Sequence, residues 1–219
     1  MPKFCTFICL MAISSCLQAE LIIDDWKEMH GKSKARDAVN WDVLNPRGEL
    51  EFVKLEKQVA CRISKGMKLR SHAATPYLEE WTLDITFALV DGEGAGGLGF
   101  IDFGTGLYYY LYADGTENKV VLQRGDGLTS NEIFSHPFST GSDPHRYALT
   151  VTLPENKQPT FTLTIDGESV TTDAGDAATV ELGGTFQLYL GASENAVVDI
   201  YETTAIKAPR RQSGSWFWK

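Results

Sequence analysis

Hydrophobic residues recur at every second position through most of the chain, which is the pattern of β-strands that bury one face. The clearest run covers residues 81–90, where polar residues alternate with Leu83, Ile85, Phe87 and Leu89. Similar short runs follow up to residue 206, and clusters of Gly, Asp, Asn and Pro separate them. One such run ends in Asp166 and Gly167, a pair typical of a two-residue hairpin turn. The pattern predicts an all-β protein.

The number of runs favours a large sandwich. About a dozen strands in a single unit are more than the seven to nine of an immunoglobulin-type module. A chain of 219 residues of this class commonly forms one domain. We therefore expect two packed antiparallel sheets.

Three stretches, in this order, resemble strands of laminin-G and concanavalin A-like domains. They are residues 145–152 (HRYALTVT), residues 161–170 (FTLTIDGESV), and the closing segments LYLGA at 188–192 and VDIY at 198–201. The resemblance, over residues 80–206, implies a two-sheet antiparallel jelly-roll sandwich of the concanavalin A-like type, with one convex and one concave face. Members of that superfamily are lectins, carbohydrate-binding modules, adhesion domains and glycan-cleaving enzymes, so it also implies a role towards glycan or polysaccharide.

One catalytic motif of the superfamily is broken in this chain. Laminarinase-like glucanases carry a Glu-x-Asp-x-x-Glu strand, and the nearest match has Val197 in place of the first Glu, followed by Asp199 and Glu202. Alternation along a strand puts Asp199 and Glu202 on opposite faces. Retaining hydrolysis needs two carboxylates about 5–5.5 Å apart, so this departure favours binding without catalysis.

The run from Leu107 to Tyr112 is the best candidate for a binding surface. A period of two puts Leu107, Tyr109 and Leu111 on the core face and the other three tyrosines on the opposite face. Sugars present flat C–H faces and hydroxyl edges, and aromatic rings with polar tips match both. The alternative is that these tyrosines fill the core. The predicted ligand-binding residues are Tyr108, Tyr110 and Tyr112, with Gln123, Gln187 and Tyr189 as hydrogen-bonding neighbours and Asp102 and Arg124 as charged candidates.

The first 19 residues have the layout of a secretory signal peptide. Lys3 precedes an apolar run, and small residues lead to Ala19, after which cleavage is expected. The alternative is a bacterial lipobox, in which Cys16 carries a lipid. Either interpretation places the protein outside the cytoplasm, secreted or attached to the cell envelope. Cleavage after Ala19 leaves Cys61 as the one cysteine, so we expect no internal disulfide.

The rest of the chain divides into three parts. Residues 20–47 are predicted as an irregular lead-in, residues 48–208 as the jelly-roll domain, and residues 209–219 as a basic, aromatic tail. Packing of Trp216 and Trp218 on the domain is the preferred interpretation of the tail, and contact with a partner or a membrane surface is the alternative. No segment after the leader has the length and hydrophobicity of a transmembrane helix.

Charge and metal-ligating residues narrow the possible functions. The formal net charge of −9 is the wrong sign for a protein that neutralises nucleic-acid phosphates. The four histidines lie far apart, and we expect no metal or other cofactor, apart from weak structural calcium at loops that contain Asp91, Glu93 and Asp126. The sequence thus favours a non-catalytic, lectin-like carbohydrate-binding domain. The alternatives are a jelly-roll enzyme that cleaves glycan and a structural or adhesion domain that binds protein.

Overall fold

The computed structural model describes residues 20–24, 26, 41–55, 58–72, 75–76, 80–91, 93–152, 159–170 and 185–207. The predicted leader, most of the lead-in and the C-terminal tail lie outside these ranges. The described residues form sixteen β-strands, in chain order β1 (Glu20–Asp24), β2 (Trp41–Val43), β3 (Glu49–Leu55), β4 (Gln58–Ser64), β5 (Lys68–Ser71), β6 (Thr75–Pro76), β7 (Glu80–Leu89), β8 (Ala95–Asp102), β9 (Tyr108–Asp114), β10 (Lys119–Gly125), β11 (Ser130–Pro137), β12 (His145–Thr152), β13 (Thr160–Ile165), β14 (Glu168–Val170), β15 (Thr185–Ala192) and β16 (Val197–Lys207).

The strands build two antiparallel sheets. The first sheet has the order β14-β13-β12-β7-β16-β4-β3, with β1 also paired to β16. The second sheet has the order β11-β10-β9-β8-β15-β5-β2, with β6 also paired to β15. The all-β class and the two-sheet sandwich are therefore confirmed. The described ranges contain no helix, and so none that could cross a membrane.

Part of the predicted lead-in belongs to the sheets. β1 pairs with β16 in the first sheet, and β2 pairs with β5 in the second. Trp26 and Trp41 are buried, with ring centroids 6.1 Å apart. The two strands are only five and three residues long, so their local pattern did not predict them, and the paired structure shows that the lead-in contributes to the core.

The hydrophobic core lies between the two sheets, because the alternating apolar residues point inward from both. Leu83, Ile85, Phe87 and Leu89 are all buried, as their spacing predicts. Trp81 of the first sheet contacts Phe100 and Phe186 of the second, with ring centroids 4.8 and 4.6 Å away. Cys61 is buried in β4.

The predicted hairpin turn joins β13 and β14. Asp166 has a φ of 51° and Gly167 a φ of 89°, the left-handed backbone that this type of hairpin requires. The side chain of Asp166 also accepts a hydrogen bond from the backbone amide of Arg146 at 2.9 Å, which ties the turn to β12.

Candidate functional site

The tyrosine row of β9 faces away from the core. Tyr109 and Leu111 are 1% and 3% exposed and point towards the first sheet. Tyr108, Tyr110 and Tyr112 are half-buried and lie on the outer face of the second sheet. The faces predicted from the period of two are therefore those observed, and the interpretation of the row as core is wrong.

The strand beside the row leaves an open channel. The outward positions of β8 include Gly97 and Gly99, which pair on one side with Tyr112 and Tyr110 of β9. On the other side, Gly99 pairs with Tyr189 of β15. A Cβ atom at Gly99 would lie 2.9 Å from Cδ2 of Tyr110. Glycines at these strand positions therefore allow an aromatic ring to approach the backbone closely.

Tyr110 lies across this channel. Its hydroxyl donates a hydrogen bond to the carbonyl oxygen of Gly191 on β15, at 2.8 Å, so the ring crosses over β8. Its ring stacks on Tyr112 with centroids 5.5 Å apart and meets Tyr189 edge-on at 5.9 Å. Tyr110 is therefore the support that holds two other rings in place.

Together these side chains line a groove of about 570 Å³ on the outer face of the second sheet, which we call the tyrosine groove. Near one end, Tyr108 lies over Gly125 of β10, where any side chain would collide with the phenol. Near the other end, beyond Tyr112, lies Asp114. Apart from the core-facing Tyr109, the polar and charged side chains among its described lining residues are those of Lys68, Tyr108, Tyr110, Tyr112, Asp114, Gln123, Tyr189 and Ser193.

Three phenols of the groove, those of Tyr110, Tyr112 and Tyr189, hold their protons more tightly than a solvated tyrosine because burial raises their pKa values. Burial raises the pKa of Tyr189 to about 12, and burial likewise raises the pKa values of Tyr110 and Tyr112 above the usual value for tyrosine. A phenol that keeps its proton donates and accepts hydrogen bonds but is a poor general base. The arrangement is therefore suited to contacts with hydroxyl groups and apolar C–H surfaces.

Five of the predicted ligand-binding residues come together in the groove. Tyr108, Tyr110, Tyr112 and Tyr189 form its aromatic lining, and Gln123 stands beside Tyr110 as its cross-strand partner. Gln187 is on β15, two residues from Tyr189, but its amide donates to the carbonyl oxygen of His72 at 3.2 Å. Gln187 therefore lies next to the groove and is not part of its lining.

The two charged candidates point the other way. Asp102 is 0% exposed, and its carboxylate accepts hydrogen bonds from the amides of Gly104 at 2.7 Å and Thr105 at 3.4 Å. Arg124 pairs with Tyr109, whose side chain faces the core. The physical reason is the strand pleat: Asp102 follows the inward-facing Phe100 by two residues, and Arg124 follows the outward-facing Gln123 by one.

Several groove residues are absent from the predicted set. Asp114 has the same parity as Tyr112, so alternation alone could have included it. Gly97 and Gly99 are strand glycines, a signal for close backbone approach. Lys68 reaches the groove because β5 pairs with β15, and the alternation of residues within either strand does not predict which strands pair.

The groove does not present the carboxylate pair of a glycoside hydrolase. Among its described lining residues Asp114 is the one carboxylate, and its Oδ1 accepts the amides of Thr116 and Glu117 at 2.9 and 3.0 Å. Asp199, the centre of the broken glucanase pattern, belongs to the first sheet and is bound by Arg62. The expectation that Glu202 lies on the opposite face is wrong, because a bulge between Ile200 and Glu202 brings Glu202 to the same face as Asp199, but this face is not the groove. Both hydrolytic mechanisms need two carboxylates that flank the bond.

The loops suggested for calcium have other contacts. The carboxylate of Asp126 accepts the amides of Leu128 and Thr129, both at 2.8 Å, and Asp91 and Glu93 are exposed. In the ranges that the structure covers, no three His, Cys, Asp or Glu residues are grouped as metal ligands. Structural calcium stays a prediction.

Comparison with known proteins gives the fold. No family model matches the chain, and no curated protein matches it. Among solved structures it is similar to the carbohydrate-binding module CBM66 from Bacillus subtilis, with 17% identity, a TM-score of 0.54, and coverage of 77% of this chain and 96% of that one. It is also similar to an endo-β-1,4-glucuronan lyase from the fungus Trichoderma reesei, with 13% identity, a TM-score of 0.60, and coverage of 86% of this chain and 96% of that one. The carbohydrate recognition domain of Emp47p is similar with 13% identity, a TM-score of 0.52, and coverage of 77% of this chain and 89% of that one.

These neighbours include a binding module, a lectin domain and an enzyme, and at such identities they establish architecture alone. All are concanavalin A-like jelly-roll folds, and the two antiparallel sheets found here are consistent with that architecture. The chain has the concanavalin A-like jelly-roll fold.

Proposed function

We propose that the protein binds glycan through the tyrosine groove and does not cleave it. The observation that carries the proposal is the set of half-buried tyrosine rings on the outer face of the second sheet, next to β8, whose outward positions include Gly97 and Gly99. Flat rings with polar tips match the C–H faces and hydroxyl edges of sugars. Two of the similar structures, a carbohydrate-binding module and a carbohydrate recognition domain, support the same class of ligand.

The proposed mechanism divides the work among the side chains. Tyr108, Tyr112 and Tyr189 offer ring faces or edges to the sugar, and Gln123 supplies an amide donor and acceptor. Tyr110 holds Tyr112 and Tyr189 in position through its ring contacts and its hydrogen bond across β8. Binding then arises from stacking and from neutral hydrogen bonds, with no reacting group.

The location proposed for this activity is outside the cytoplasm. It rests on the sequence of residues 1–19, which has the layout of a secretory signal peptide, with lipid attachment at Cys16 as the alternative. Secretion or attachment to the envelope would bring the groove to extracellular polysaccharide.

Single substitutions in the groove test the proposal. Affinity electrophoresis of the full chain in gels that contain different polysaccharides should reveal a retarding polymer. Tyr108→Ala, Tyr112→Ala and Tyr189→Ala should each weaken that retardation about tenfold, which corresponds to about 1.4 kcal/mol. The matched control is Tyr201→Ala, because Tyr201 is a half-buried tyrosine on the other sheet and should leave retardation unchanged.

Two results would redirect the proposal. Release of new sugar ends or unsaturated products from any polymer would show a cleaving enzyme. Equal retardation of all three groove variants and the wild type would remove the groove from glycan binding, and no retardation of the wild type in any polymer would favour a structural or adhesion role.

A further inference from the structure

The tyrosine groove carries a balanced charge. Of its described lining residues, Lys68 and Asp114 are the two with a formal charge, and they have opposite signs. The remaining polar groups, the phenols, Gln123 and Ser193, are uncharged. A ligand in the groove therefore meets no surplus of positive charge.

The cations just beyond the groove are already paired. Arg70, the cross-strand partner of Tyr189, donates to Asp42 at 3.1 Å. Lys119, the cross-strand partner of Asp114, pairs with Glu117 and lies 3.7 Å from Glu132. Counted together, this surface has one more carboxylate than it has cations: Asp42, Asp114, Glu117 and Glu132 against Lys68, Arg70 and Lys119.

A polyanionic glycan would bind poorly to such a surface. Each sugar carboxylate or sulfate that leaves water needs a charged or strongly hydrogen-bonding partner. Among the described lining residues Lys68 is the one cation, and the net charge of −9 on the chain adds long-range repulsion. An uncharged glycan has no charged group to desolvate and is not repelled by the net charge of the chain, and it can still form hydrogen bonds and ring contacts with the tyrosines.

From this charge balance we propose that the ligand of the tyrosine groove is an uncharged polysaccharide and that uronate-rich or sulfated polymers are excluded from it. The inference rests on the proposed function, since it names the class of glycan for the same groove. It also sets this groove apart from that of the similar glucuronan lyase, which by its name acts on a polyuronate.

Matched polymer pairs test the charge preference directly. Neutral β-glucans and mannans are compared with the same polymers after oxidation at C6 to carboxylates, by affinity electrophoresis and by calorimetry with the full chain. We expect the oxidised form of a bound polymer to bind at least about tenfold more weakly. Binding of the neutral form should change by less than about twofold between low and high salt, because no ion pair is screened.

Two variants separate charge from shape. Lys68→Gln removes the cation among the described lining residues, so it should lower the ratio of oxidised-polymer affinity to neutral-polymer affinity. Asp114→Asn keeps an oxygen for the turn amides of Thr116 and Glu117 and removes the negative charge, so it should raise the ratio of oxidised-polymer affinity to neutral-polymer affinity several-fold.

The outcomes distinguish this inference from the proposed function. Tighter, salt-sensitive binding of oxidised polymers that Tyr112→Ala abolishes would overturn the preference for neutral glycan and keep the groove as the binding site. Binding of no polymer, or binding that Tyr112→Ala leaves unchanged, would overturn the proposed function and this inference with it.

Discussion

Tyr110 allows the support role of one ring to be separated from direct contact with sugar. Its hydroxyl donates to Gly191 at 2.8 Å, and its ring contacts Tyr112 and Tyr189. Tyr110→Phe removes the hydrogen bond and keeps the ring, whereas Tyr110→Ala removes both. Comparing the two variants therefore measures what the ring itself contributes.

The expected magnitudes follow from these contacts. Loss of one neutral hydrogen bond costs about 1 kcal/mol, so Tyr110→Phe should lower the melting temperature by about 2–4 °C in a chain of this size. Tyr110→Ala also loses two aromatic contacts worth about 0.5–1.5 kcal/mol each and the burial of a large ring. Because the side chain is half-buried, we expect a total of about 3 kcal/mol, at the low end for loss of a large aromatic side chain.

Urea denaturation at pH 7 gives the free energies of unfolding, and affinity electrophoresis gives glycan binding for the same samples. Tyr110→Phe should bind glycan within about threefold of wild type, and Tyr110→Ala should lose at least about tenfold because Tyr112 and Tyr189 lose their support. Tyr201→Ala is again the control. If Tyr110→Ala unfolded within about 0.5 kcal/mol of Tyr110→Phe, the ring would not be a packed support and this reasoning would be refuted.

Three further predictions concern pH, an ion pair and a glycine. Burial raises the pKa of Tyr109 to about 12, above its unfolded value of about 10. The free energy of unfolding should therefore hold below pH 10 and fall above it, with roughly 2 kcal/mol lost through Tyr109 by pH 12 and a further loss through Tyr189, whose pKa is raised in the same way; urea melts unchanged over that range would contradict this. Arg62→Met leaves Asp199, whose side chain is 4% exposed, without its bidentate partner. The variant should lose about 2–3 kcal/mol, because Arg62 itself is 27% exposed, and a double variant with Asp199→Leu should recover most of it in the same melts. Gly125→Ala places a methyl group against the phenol of Tyr108 and should weaken glycan retardation as much as Tyr108→Ala; wild-type retardation of a folded variant would show that the ring is free to move.

Local alternation predicted what depends on a single strand. The faces of Tyr109 and Leu111 against Tyr108 and Tyr110 follow from the pleat of β9 alone, whatever its neighbours are. The turn at Asp166 is equally local. Such features need no knowledge of which strands lie side by side, and the sequence was sufficient for them.

Asp102 and Arg124 were predicted wrongly because they were chosen for lying near the tyrosine row in sequence, and the alternation of side chains along their own strands was not applied to them. Asp102 is two residues from Phe100, and a buried Phe100 requires Asp102 to face the core as well. Arg124 cannot share a face with Gln123 in a regular strand. Both errors could have been avoided from the sequence, since the same period of two that placed the tyrosines also excludes these side chains from their face.

The groove itself depends on three strands that are distant in sequence. Tyr110 can lie across β8 because Gly97 and Gly99 have no side chains, and it ends at Gly191 because β15 is the next strand. A larger residue at Gly99 would collide with Tyr110 and force its ring upright, so that the tyrosines would form a ridge without a floor. The row is thus encoded in one strand, whereas its conversion into a groove is encoded in the glycines of its neighbours and in the order of the sheet. A Cβ atom at Gly99 would also collide with the backbone oxygen of Tyr109, so Gly99→Val would disturb the pairing of β8 with β9 as well as the ring, and it should lower both the melting temperature and glycan retardation.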